Sequence, residues 1–183
     1  FSKAAHAPKM NLFINAARLG FDPTRIVIMG HSAGAHLVAL VGTDESYLRG
    51  AGLSFANIDG VIPIDGAAYD VARQMQDGGN FMADTYNQAF GSDPARQRTL
   101  SPTLHAASPN APAFLIIHVQ RKDGTAQSIG LQAALRKGGT KADRQEFEGR
   151  GLKGHAEINR SLGDPAYAAT PVVDAWLKRI FGS

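Results

Sequence analysis

Three windows of the chain, residues 25–30, 61–65 and 113–119, are apolar or β-branched without a clear in-and-out alternation, and a weaker strand is expected near 142–147. Unalternating runs of this length mark strands buried on both faces. Pro63 weakens the second window slightly, because proline cannot donate to a sheet ladder. Between the windows the period lengthens. Met10, Phe13, Ile14 and Ala17 fall at i, i+3, i+4 and i+7 of an amphipathic helix, with Gly20 to close it. The segment from Ser32 to about Thr43 is apolar nearly all round, which predicts a helix buried on most sides. A helix over 126–137 carries Ile129, Leu131, Ala133 and Leu135 and stops at Gly138-Gly139. Val173, Trp176, Leu177, Ile180 and Phe181 form the stripe of a last helix.

Strands alternating with helices predict an α/β fold with a mainly parallel sheet, formed by residues 1–183 as one domain. Residues 66–112 break the rhythm. They are polar, punctuated by Gly and Pro, and hold short helical pieces near 69–76, 81–90 and 94–99. We read them as a cap-like excursion whose Tyr69, Phe81, Met82, Tyr86 and Phe90 either line a pocket or pack the short helices together.

Composition narrows the function classes. Net charge is +3, and the basic residues are scattered rather than massed with aromatics, which argues against nucleic-acid binding. No apolar stretch reaches the roughly 18–20 residues of a membrane span, the pattern of a soluble chain. The absence of cysteine excludes disulfides, thiolate metal sites and a cysteine nucleophile, but does not decide the compartment.

The chemistry concentrates where the first strand meets its helix, at Gly30-His31-Ser32-Ala33-Gly34. Gly-x-Ser-x-Gly between a buried strand and a buried helix is the nucleophile-elbow pattern. The chain must reverse within a few residues, so glycines are expected on both sides of Ser32 to leave room. A serine placed there stands at a helix N-terminus, where the Ala33 N–H and the helix dipole favour developing negative charge. Serine needs a base, and the base an orienting carboxylate. Among the six histidines, His31 is locked in the elbow, and His36, one turn down the helix, reads as a hydrogen-bonded core residue. His6 lies at the N-terminus, His105 in the excursion, and His118 inside the third strand. His155 remains, in a predicted glycine-rich loop (Gly149, Gly151, Gly154) after the fourth strand, where active-site groups of open α/β sheets gather. For the carboxylate, Asp123 follows the third strand in a polar Asp-Gly turn and is the first choice; Asp65, ending the second strand, is the rival, and Glu148 the third. The chain order Ser, Asp, His fits this class of hydrolase with either of the first two.

The stretches FDPTRIVIMGHSAGAHLVAL, IDGVIPIDGAAYD, FLIIHVQRKDGTAQSIGLQAAL and GHAEINRSLGD resemble the α/β-hydrolase superfamily, in its serine carboxylesterase and lipase-like branch. The resemblance implies an eight-stranded, mostly parallel sheet and a small ester as substrate. It makes Ser32 the acylated nucleophile, Asp123 the acid, His155 the base and the Ala33 N–H one oxyanion donor, with no metal or organic cofactor. Arylformamidases share the pattern, and a non-catalytic hydrolase-like module is a further alternative. Relatives carry a His-Gly-Gly oxyanion loop and several strands upstream of the elbow. This sequence has no His-Gly-Gly, and Gly78-Gly79-Asn80 lies too far downstream to replace it. The expectation is therefore that the chain is the C-terminal part of a longer hydrolase, with the missing N-terminal segment as its partner.

Overall fold

The computed structural model describes residues 16–77 and 82–182. Met10, Phe13, Ile14, His6, Phe81 and the Gly78–Asn80 tripeptide lie outside the described residues, and so does the helix expected at the first three of them, apart from its last turn. That turn is α1 (Ala16–Leu19), ended by Gly20 at φ 71 as expected. The chain then alternates β1 (Val27–His31), α2 (Ala33–Thr43), α3 (Ser46–Arg49) and β2 (Gly60–Ile64). Four short helices follow: α4 (Val71–Asp77), α5 (Ala83–Phe90), α6 (Pro94–Thr99) and α7 (Pro102–His105). The last third is β3 (Ala113–Gln120), α8 (Lys122–Lys137), β4 (Lys141–Arg150), α9 (Gly151–Ser161) and α10 (Ala169–Phe181).

Among the described residues the four strands form one sheet in the order β1-β2-β3-β4, every pair parallel. Because successive side chains of a strand face opposite ways, β2 and β3 supply both layers of the core. Val61, Phe114 and Ile116 join Ala39, Leu131 and Leu135 of α2 and α8 on one face. Ile62, Ile64, Leu115, Ile117 and Val119 join Ile158, Val173 and Trp176 of α9 and α10 on the other. Helices on both faces are why these strands carry no polar side. Pro63 is tolerated although β2 is central, and all five residues of that strand are buried. Strand β4 was the weakest in apolar pattern because it is an edge strand. It is mostly charged, with only Ala142 and Phe147 buried, on opposite faces.

The helix after Ser32 is less enclosed than its sequence predicts. Leu37 is about half exposed (48%), as is Met29 on β1 (51%). Met29 lies on the other edge strand, β1, and Leu37 on the helix that follows it; no further strand pairs with β1 among the described residues. Residues of the excursion pack back on the sheet's first face, and Tyr69 there is fully buried. No described helix is long and apolar enough to cross a membrane.

Two histidines act as core residues, as their positions suggest. His36 is buried and its Nε2–H donates to the Leu100 carbonyl at 2.8 Å, while Phe90 meets its ring edge-on at 5.2 Å. His118 is fully buried, its Nδ1–H on the Val119 carbonyl and its Nε2 accepting from Arg144. Burial holds both imidazoles below their usual 6.5. The unfolded chain therefore takes up protons that the folded one refuses as pH falls below 6.5. Stability is complete above that value and is lost progressively toward the lower folded values. Urea unfolding midpoints are expected to drop between about pH 7.5 and about pH 5.5. The drop should shrink in His36→Gln, whose amide nitrogen can still donate to Leu100. An equal drop in that variant would remove His36 from the account.

Candidate active site

Ser32 is the residue between β1 and α2, and its backbone sits at φ 58, ψ −119. That conformation is natural to glycine and costs a side-chain-bearing residue about 1–3 kcal/mol. The surroundings over-determine it. The Ser32 N–H donates to the Ile64 carbonyl at 3.0 Å, and the Ser32 carbonyl accepts from Ala35 at 3.0 Å. Gly30 is sterically required, since a Cβ there would stand 2.4 Å from the Gly34 carbonyl oxygen and 2.6 Å from its carbon. Gly34 is not: a Cβ on it meets nothing within 4 Å, contrary to the expectation that both glycines make room. Gly30→Ala should therefore destabilise the fold by about 3 kcal/mol, because the obstacle is backbone and cannot swing away. Gly34→Ala should leave stability unchanged or raise it by up to about 1 kcal/mol through helix propensity. Urea denaturation of the two variants checks the contrast.

The Ser32 hydroxyl lies 3.0 Å from His155 Nε2, and His155 Nδ1 lies 2.6 Å from Asp65 Oδ2. Asp65 is fully buried, while His155 keeps 16% of its side chain exposed. The other Asp65 oxygen accepts the Val119 N–H at 3.1 Å, and the Asp65 N–H donates to Ile117 at 2.7 Å. The carboxylate is thus fixed by β3 while it faces the imidazole, and its backbone takes φ 46 to do so. His31 steadies the ring from the elbow: its Nε2–H donates to the His155 carbonyl at 2.9 Å, and the two rings lie 4.3 Å apart. Burial and the neighbouring His155 hold the His31 imidazole below its usual value, which suits a neutral N–H donor.

Asp123, the first choice from sequence as the carboxylate beside His155, does not stand there; Asp65, the rival, does. Lys122 already opens α8, so Asp123 and Gly124 lie in its first turn rather than in a polar turn before it. The Asp123 side chain is directed elsewhere, with Oδ2 3.4 Å from Gln74 Nε2 and 3.7 Å from an Arg121 nitrogen. His155 differs from expectation too. The glycine-rich run forms no open loop: β4 ends at Arg150, α9 starts at Gly151, and His155 is on that helix. Gly149 turns at φ 139 and Gly151 at φ 54, and a Cβ on Gly154 would come 2.6 Å from the Gly149 backbone. Those glycines let the helix fold directly back against the strand end, which carries His155 over Ser32. Sequence reasoning missed Arg121, whose terminal nitrogen lies 2.7 Å from His155 Nδ1 and 3.4 Å from Asp65 Oδ2.

Every one of these groups follows a strand: Ser32 after β1, Asp65 after β2, Arg121 after β3, His155 after β4. Four neighbouring parallel strands thus deliver one polar group each at their carboxyl ends, where ligands of open α/β sheets bind. An imidazole held between a hydroxyl and a carboxylate can take the hydroxyl proton on Nε2 while its Nδ1–H stays on the carboxylate.

The BD-FAE family model matches residues 10–135, more than half of the sequence and including the elbow and Asp65. The chain belongs to the BD-FAE family. No curated protein sequence is significantly similar to this BD-FAE chain. Among solved structures it is similar to a truncated form of a carbohydrate esterase from gut microbiota, with TM-score 0.77 and 19% identity, over 100% of this chain and 68% of that one. It is similar to esterase B from Lactobacillus rhamnosis, with TM-score 0.73 and 19% identity, over 99% of this chain and 59% of that one. An acetyl ester-xyloside bifunctional hydrolase from Caldicellulosiruptor lactoaceticus gives TM-score 0.71 and 23% identity, over 98% and 65%. These likenesses establish the α/β-hydrolase fold, and the chain spans about 59–68% of the length of those proteins.

Proposed function

We propose that this chain carries the catalytic residues of a serine esterase, cleaving carboxylic esters through an acyl-enzyme. The observation that carries the reading is the unbroken Ser32–His155–Asp65 chain at 3.0 and 2.6 Å, set on an elbow whose backbone is strained. Ser32 Oγ attacks the ester carbonyl as His155 Nε2 takes its proton. Asp65 keeps the other ring proton on Nδ1 and balances the imidazolium that forms. Ala33 opens α2, where first-turn N–H groups have no intrahelical acceptor, and its N–H receives the oxyanion. The imidazolium then protonates the leaving alkoxide. A water, deprotonated by the same nitrogen, releases the acid and restores Ser32.

Esters of short acyl groups are the substrates to try first, because the structural neighbours include a carbohydrate esterase and an acetyl ester hydrolase. The test is covalent. A fluorophosphonate probe applied to the intact protein carrying this chain should add one phosphonyl group, found on the Ser32 peptide by mass spectrometry. It should also stop hydrolysis of p-nitrophenyl acetate in proportion. Modification of a different serine with loss of activity, or ester hydrolysis that survives full modification of Ser32, would overturn the reading.

A further inference from the structure

Two side chains claim the same atom. Asp65 Oδ2 lies 2.6 Å from His155 Nδ1, and an Arg121 terminal nitrogen lies 2.7 Å from it. A neutral imidazole nitrogen either donates or accepts. A proton on Nδ1 satisfies the carboxylate and leaves a lone pair on Nε2 facing Ser32. A lone pair on Nδ1 satisfies the guanidinium, which can only donate, and places the ring proton on Nε2, where it cannot serve as base. Arg121 is well placed to compete. Its side chain is only 16% exposed, and its Nε is buried with no partner. A Cβ on Gly124 would already touch the guanidinium at 3.3 Å, so α8 begins directly against it.

The opposing pull is Asp123. Its Oδ2 is 3.7 Å from the other Arg121 terminal nitrogen, on the side away from the ring contact. Asp123 is itself held: Gln74, 1% exposed on α4, reaches it at 3.4 Å while its amide oxygen accepts the Ala68 N–H. We propose that Asp123 and Arg121 are a pair of positioning residues that select the His155 tautomer, Asp123 drawing the guanidinium off Nδ1 so that Asp65 keeps the proton there. This deepens and rests on the Ser32–His155–Asp65 reading. It gives Asp123 a part in the reaction that runs through Arg121 and not through the imidazole.

The test is a double-mutant cycle on the intact protein with p-nitrophenyl acetate, together with nitrogen NMR of the His155 ring. Asp123→Asn should lower kcat about tenfold with KM within about twofold, since the tautomer and not ester binding is affected. The ring signal should move from the Nδ1–H toward the Nε2–H form. With Arg121→Gln already present, adding Asp123→Asn should change neither kcat nor the ring signal, and both variants should show Nδ1–H. The NMR arm decides even where an Arg121 variant turns over too slowly to measure. An unchanged kcat in Asp123→Asn, an equal loss in both backgrounds, or an Nε2–H ring in Arg121→Gln overturns the proposal while leaving the triad reading intact. A loss of about 10⁴-fold in Asp123→Asn with near-normal turnover in Asp65→Asn would instead overturn both, by making Asp123 the acid.

Discussion

Asp65→Asn is expected to lower kcat about 10⁴-fold while leaving the fold and KM nearly unchanged. The geometry gives the reason. The Asp65 oxygen that accepts the Val119 N–H at 3.1 Å can be supplied equally by an asparagine carbonyl. That orientation leaves the amide nitrogen facing His155 Nδ1, where the carboxylate now sits at 2.6 Å. An NH₂ group there needs a lone pair on Nδ1, so the ring proton moves to Nε2 and points at the Ser32 hydroxyl. The side chain stays isosteric and buried, yet the imidazole can no longer accept the Ser32 proton, nor is its cation balanced. A 10⁴-fold loss corresponds to about 5.4 kcal/mol of barrier. Steady-state kinetics on p-nitrophenyl acetate, with circular dichroism and urea unfolding as fold controls, reads it. Loss confined to Asp123→Asn, with Asp65→Asn near wild type, would assign the carboxylate role to the residue after β3 instead.

The contrast between the two aspartates also shows what a sequence can carry. The elbow was legible because three levels agree: a glycine forced by backbone contact, a serine, and an apolar segment on each side in the sequence, even though β1 is only partly buried. The parallel sheet was legible because β2 and β3 are buried on both faces and so lack polar alternation. The choice of carboxylate was not, because both candidates follow a strand and both precede a glycine. What separates them is the start of α8, one residue earlier than Asp123, which turns that side chain toward Gln74. A window that opens with Lys-Asp-Gly-Thr has little apolar period to announce a helix, so periodicity places its start at Ala126. A clue did exist in Asp65 itself, a charged residue at the end of a wholly buried strand, where an unpartnered carboxylate would be costly.

Elimination among the histidines points to His155, and its setting on a helix differs from the expected loop for a physical reason. Glycines at 149, 151 and 154 read as flexible loop, whereas two serve positive φ and one serves contact between helix and strand. Arg121 left no signal at all, since an arginine in a polar turn is ordinary and only the third dimension brings it to the imidazole. The site is spread over residues 32 to 155, yet each group lies immediately after a strand or on the helix that follows one. Parallel pairing in register is what converts that large sequence separation into one row of neighbours.

Ser32 itself yields the second large effect, because activity and stability should respond in opposite directions there. Ser32→Ala removes the proposed nucleophile and should lower kcat by about 10⁶-fold, toward the background set by binding and the oxyanion donor. Combining it with Asp65→Asn should cost little more, since neither the base nor its carboxylate has a hydroxyl left to act on. Alanine keeps the Cβ, so it inherits the strain of φ 58, ψ −119 and should unfold at nearly the wild-type urea concentration. Ser32→Gly should be equally inactive but more stable than Ser32→Ala. Release of about 1–3 kcal/mol of backbone strain outweighs the roughly 0.5–1 kcal/mol that glycine loses in chain entropy. A glycine variant more stable than alanine would mean that the folded chain holds its serine in a conformation only the reaction needs. Both variants keep the backbone hydrogen bond from residue 32 to Ile64, so a glycine variant no more stable than alanine would mean that the strain at this position is smaller than the chain entropy glycine loses.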